Sequence, residues 1–148
     1  MKRHNSRIFT ILVLFNLDMN NVDLSQIEVE ALKEVKEDVK KLILDDEYQV
    51  EINYEFSDLI IDKVISEYNN IIEIIKDSLV NWSIDRLSYV DRAIVVSATA
   101  EMLIKETPKE VIINEYLEIT KEYSAVADEK QVRFNNKVLD GIAKKLYE

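Results

Sequence analysis

Apolar positions along the chain recur at spacings near 3.6, the period of a helix. The pattern predicts seven helices. The first covers 6–18 and is apolar on most sides, as a buried helix is. A second begins at Ser25, where Ser25 and Glu28 have capping-box spacing, with Ala31, Leu32, Val35, Val39, Leu42 and Ile43 as its stripe. A third over 53–67 turns Phe56, Leu59, Ile60 and Val64 inward, and a short fourth over 70–79 offers Ile71, Ile74, Ile75 and Leu79. Ser88 and Asp91 open a fifth helix that runs to Lys105, and its Ala93–Val96 run with Ala98 and Ala100 predicts the central buried helix. Thr107, Pro108 and Glu110 read as N-cap, first helical residue and capping acid of a sixth, with Val111, Ile112, Tyr116 and Ile119 as core candidates. Asp128 and Gln131 open the seventh, striped by Phe134, Val138, Ile142 and Leu146. Asn20-Asn21, Asp45-Asp46 and Asn69-Asn70 mark turns, the stretch 48–52 has room for a short extra turn, and Trp82 reads as a lid on the core. The expected fold is all-α: a single domain of two packed helical lobes, 1–80 and 81–148, divided near Asn81.

Composition narrows the function. One Gly and one Pro in 148 residues leave no glycine-rich phosphate loop or dinucleotide turn. With no Cys, thiol nucleophiles and Cys-based zinc sites are excluded, and with His4 as the sole imidazole a Ser-His-Asp triad is not expected. No metal or cofactor is expected. Glu115 and Glu118 are the available carboxylate pair for a hydrolase, three apart on one helix face with no His or Cys near them in sequence.

Charge changes the picture again. The net charge of −10 opposes nonspecific binding to nucleic acid, yet the distribution is uneven. Residues 1–17 contain no acid but carry Lys2, Arg3, His4 and Arg7, whereas 18–58 hold 13 acids and four bases. Lys130, Arg133, Lys137, Lys144 and Lys145 concentrate basic character at the other end. The opening Lys2-Arg3 and the apolar 8–15 imitate a signal peptide, but the run falls far short of the ~20 residues of a membrane span. A buried first helix in a cytoplasmic protein, without membrane contact, is the expectation.

Four blocks, in order, resemble the NusB family of bacterial transcription antitermination factors. They are Lys2-Arg3 with Ser6-Arg7 and Leu14-Phe15; Asn81–Leu87 followed by Val90-Asp91-Arg92-Ala93-Ile94; Pro108 with Val111–Glu115; and Arg133-Phe134-Asn135-Asn136-Lys137-Val138-Leu139-Asp140. The resemblance implies an all-α fold without enzymatic activity. It also implies binding of single-stranded boxA-type RNA of ribosomal transcripts together with the small-subunit ribosomal protein NusE, within the RNA polymerase antitermination complex. Carried over by position, the RNA contacts would be Lys2, Arg3, His4, Arg7, Arg133 and Phe134, with Asp91 facing the protein partner.

The chain departs from the family pattern at His4, where an arginine is usual, and at Ile8, in place of a Glu. Asn135-Asn136-Lys137 replaces Val-Asn-Gly, Val95-Val96 replaces Leu-Arg, and Ala100 replaces a Tyr. These departures support the alternative of an interaction module with little RNA binding. A third use of the resembling fold, as the leading domain of an RNA cytosine methyltransferase, would require a catalytic chain outside these 148 residues.

Overall fold

The computed structural model describes residues 2–44, 50–124 and 129–147. Seven α-helices account for most of them: α1 Lys2–Met19, α2 Val29–Leu44, α3 Tyr54–Ser66, α4 Tyr68–Ser78, α5 Tyr89–Ile104, α6 Lys109–Tyr123 and α7 Glu129–Leu146. Single 3-10 turns at Leu24–Gln26 and Ile84–Arg86 complete the ordered elements, and no strand occurs among the described residues. Among those residues, too, no helix is long and apolar enough to cross a membrane.

Helix α5 is the axis of the fold because it is small and apolar on every side. Ala93, Ile94, Val95, Ala98, Ala100 and Met102 are all buried, and the alanines allow close approach of neighbouring backbones. It packs against α1, α3, α4, α6 and α7. Helix α1 runs antiparallel to it, since Arg7 pairs with Glu101 at one end and Asp18 with Arg92 at the other. The predicted cap at Ser88 is present: its hydroxyl accepts from the Asp91 amide at 3.1 Å and donates to the Asp91 carboxylate at 2.7 Å. Lys105 ends α5 in the left-handed conformation at φ 61°.

Several local expectations are corrected. Helix α1 starts at Lys2, four residues early, because Ser6 donates to the Lys2 carbonyl and accepts from the Asn53 amide, both at 2.8 Å, fixing the basic segment as helix. Helix α2 starts at Val29 instead of Ser25. Asp23 captures the Ser25 amide at 3.0 Å and its hydroxyl at 2.6 Å, so Ser25 belongs to a 3-10 turn. Ala31 and Leu42 are then exposed, and Val39 is the buried residue of that stripe. In α3, Leu59 faces out while Ser57 and Ile61 face in.

Asn69-Asn70 lies inside α4. The break falls at Glu67, whose backbone (φ −123°, ψ 28°) is too far from helical values to continue α3. Helix α6 begins one residue later than expected, so Pro108 is the N-cap and no side chain caps it; Thr107, one place outside, accepts at its carbonyl from the Tyr147 hydroxyl. Val111 is exposed as a consequence. Asp45-Asp46, Tyr48 and Asp128 lie outside the described residues. Asn21 and Asn81 do reverse the chain, at φ 57° and 63°, in the left-handed region that Asn tolerates better than most side chains.

Candidate nucleic-acid interface

The amino-terminal arm is the first two turns of α1, and its four basic residues have different surroundings. Lys2 and Arg3 are exposed, and the Arg3 guanidinium lies 4.8 Å from the centre of the Phe56 ring. His4 is held between carboxylates of α6, with Nδ1 2.8 Å from Glu115 and Nε2 3.6 Å from Glu122. Arg7 points inward and is 3% exposed. Its Nε and Nη2 donate to the two Glu101 oxygens at 2.8 and 2.7 Å.

That pair continues into a buried chain of polar groups. The Tyr116 hydroxyl donates to Glu101 at 2.9 Å and lies 2.9 Å from the Ser97 hydroxyl. Burial works against the Arg7 charge, but the hydrogen bonds and charge of Glu101 outweigh it and hold the guanidinium pKa above its ordinary value. Burial, and then the Glu101 charge, push the Tyr116 phenol well above the usual tyrosine range. Expected at the RNA, Arg7 is instead committed to the core: its Nε–Nη2 edge is taken by Glu101, and its Nη1 faces Glu115 at 3.8 Å. Sequence position alone did not separate it from Lys2 and Arg3. The available signal was Glu101, an acid in the run Ala93–Ile104, which carries no other charge, so that burying it needs a cation.

At the other basic end, Arg133 is exposed and Phe134 half-buried. The Phe134 ring centre is 5.3 Å from that of Trp82, with the planes at 57°. The next residue, Asn135, is fully buried; its Nδ2 donates to Asp91 and to the Thr120 hydroxyl, each at 3.2 Å, and its Oδ1 accepts from Gln131 at 3.0 Å. Asp91 also accepts from Ser88 at 2.7 Å and Ser124 at 3.1 Å. It is 2% exposed, so it does not present a carboxylate to a partner protein. It ties the start of α5, the end of α6 and the start of α7 together, and so sets the outward direction of Arg133 and Phe134. An Asn where the resembling family has Val takes part in this clamp: Asn135 adds donors to Asp91 and Thr120 that Val could not supply.

Helix α6 lies between the two basic ends. Glu122 reaches His4 while Thr120 holds Asn135, and residues two apart on a helix point about 200° from one another. The arm and the start of α7 therefore flank opposite sides of α6. Trp82, expected as a lid, is 48% exposed, with the Arg86 guanidinium 5.8 Å from its ring centre. The left-handed turn at Asn81 carries it out of the core, and no pattern in the sequence signals that exposure. Glu115 and Glu118 do not converge: Glu115 is occupied by His4 and Glu118 by Lys121 at 3.1 Å.

Comparison with known proteins agrees with the ordered blocks. The NusB family matches residues 4–144. The chain is 35% identical over 142 residues to the transcription antitermination protein NusB of Staphylococcus epidermidis, covering 96% of this chain and 98% of that protein. It is 36% identical over 146 residues to the protein of the same name from Clostridium botulinum, covering 98% and 100% respectively. Among solved structures, a complex of the antitermination factors NusB and NusE with double-stranded RNA superposes with a TM-score of 0.75 at 26% identity, covering 98% of this chain and 99% of the other. Sequence and fold agree over almost the whole length, and the chain belongs to the NusB family.

Proposed function

We propose that this chain is a cytoplasmic, non-enzymatic transcription antitermination factor. It binds boxA-type single-stranded RNA of ribosomal transcripts together with ribosomal protein NusE, within the RNA polymerase antitermination complex. It acts as one domain of two lobes, 1–80 and 81–148. The observation that carries the reading is the clamp of Asp91 on Asn135 beneath an outward Arg133 and Phe134. Buried hydrogen bonds on one residue, with an exposed cation and a half-buried ring on its neighbours, suit a rigid base-stacking platform.

In this reading Phe134 stacks a base and Arg133, Lys2 and Arg3 hold phosphates. His4 anchors the arm on α6, and Arg7 and Asp91 act as positioning residues. Three phosphate contacts predict a shallow salt dependence, with log K against log salt near −2 at about −0.7 per contact.

A second reading, an interaction module with little RNA affinity, is favoured by the burial of Arg7 and the net charge of −10. Fluorescence anisotropy separates the two. Labelled boxA RNA, a scrambled strand and a duplex are titrated with and without NusE. Selective binding of the boxA strand that tightens with NusE supports the first reading; NusE binding with no RNA preference supports the second.

A further inference from the structure

A groove of about 810 Å³ opens between α4 and α7. Arg133, Lys137 and Lys144 line its α7 side, and Asp77 and Ser78 its α4 side. All three cations are exposed, and none enters an ion pair among the described residues. In a chain with 29 acids and 19 bases, a face where cations outnumber acids runs against the average. At 100° per residue, positions 133, 137 and 144 fall within about 40° of one line, and they span roughly 16 Å along the axis.

Two acids stand nearby. Asp77 is already neutralised by Lys145 at 2.9 Å. Asp140 shares the stripe, so three cations against one acid leave it net positive. The body of the protein is acidic, so this stripe is a local field of opposite sign, effective over about 10 Å. Phe134, next to Arg133 in sequence, contacts Trp82, about half of whose surface is open. A line of cations whose first member, Arg133, is next in sequence to a ring in contact with the half-exposed Trp82 suits a single nucleic-acid strand, with phosphates on the cations and a base on the indole.

We propose, resting on the boxA reading above, that the α4–α7 groove is a second stretch of the RNA tract. Trp82 stacks a base flanking the boxA core, and Arg133, Lys137 and Lys144 hold phosphates of the following nucleotides. At about 3.4 Å per phosphate of a stacked strand, the stripe accommodates about five of them. The RNA bound is therefore longer than boxA itself, and the protein grips it by charge outside the element.

The test uses the full chain with NusE and two RNAs, the boxA core alone and the core extended by about five nucleotides of flanking single strand. Trp82 is the only tryptophan of the chain, so its fluorescence reports contact at that ring directly when the partner carries none. The extended RNA quenches Trp82 and binds more tightly than the core. The Lys137→Ala/Lys144→Ala variant removes that gain and makes the salt slope shallower by about 1.4, or 0.7 for each lost phosphate. Trp82→Ala weakens binding of the extended RNA about tenfold. Equal affinity for both RNAs, an unmoved slope and weakening only by Phe134→Ala would overturn the tract and leave the boxA reading standing. Failure of either RNA to bind, with or without NusE, would overturn both. Lys137 and Lys144 are exposed and unpaired, so their replacement leaves the unfolding midpoint unchanged as a control.

Discussion

Arg7 and Glu101, 94 positions apart in sequence, meet through two parallel hydrogen bonds at the centre of the molecule. The pair joins the basic arm to the central helix. The cation is 3% exposed and the acid 2%; Tyr116 donates a further hydrogen bond to Glu101 and is itself paired with the Ser97 hydroxyl. A buried pair of this kind contributes more to orientation than to net stability, but losing one member is expensive.

Arg7→Ala therefore costs about 3–5 kcal/mol, because it strands the Glu101 charge in the core. Urea unfolding of the variant beside the parent measures it. A cost below about 1 kcal/mol, the size expected of a surface residue, would mean that Arg7 is not the counter-ion described here.

Tyr116 makes stability fall in alkali. Its phenol pKa is raised in the folded state by burial and by Glu101, so the folded protein retains a proton that the unfolded chain loses above about pH 10. The stabilisation is complete below pH 10 and is lost as pH rises toward the folded pKa, at up to about 1.4 kcal/mol per pH unit. Tyr68, whose pKa is also raised by burial, acts in the same direction. Denaturant midpoints between pH 8 and 11 should fall above pH 10, with a shallower fall in Tyr116→Phe. A flat profile would contradict the buried phenol.

Asp91 gives a test of positioning against partner contact. Asp91→Ala removes the acceptor of three side-chain donors and should cost about 2–4 kcal/mol. It should also weaken RNA binding through the loosened start of α7. A variant as stable as the parent that loses only NusE binding would restore the partner-facing role expected from sequence.

Gly141, the only glycine, sits in the interior of α7, where a Cβ would meet Ser78 at an ordinary 3.8 Å. Gly141→Ala should raise stability by about 0.5–1 kcal/mol through helix propensity alone. A loss on the same scale in thermal unfolding would show that α4 and α7 pack more closely than this.

The fold was legible in the sequence where one signal dominated. The Ser88 box and the apolar run of α5 predicted that helix from its cap to Lys105. Boundaries failed where two caps competed, as Asp23 did with Ser25, or where a cap and a proline were adjacent, as at Thr107 and Pro108. The site was only partly legible. A basic residue looks the same in sequence whether it faces water, as Lys2 does, or a buried acid 94 positions away, as Arg7 does. Asp91 misled for the same reason: its helix-capping role was read correctly, but the donors from Ser124 and Asn135 that bury it arrive from two other helices.

The most direct measurement is the affinity of Phe134→Ala for boxA RNA in the presence of NusE, beside the parent and with both unfolding midpoints known. Loss of a stacking ring predicts binding weaker by about 5- to 150-fold, beyond the modest loss of stability expected from removing a half-buried ring that packs on the core. Unchanged boxA affinity in a folded variant would contradict the claim that the start of α7 is an RNA-stacking platform.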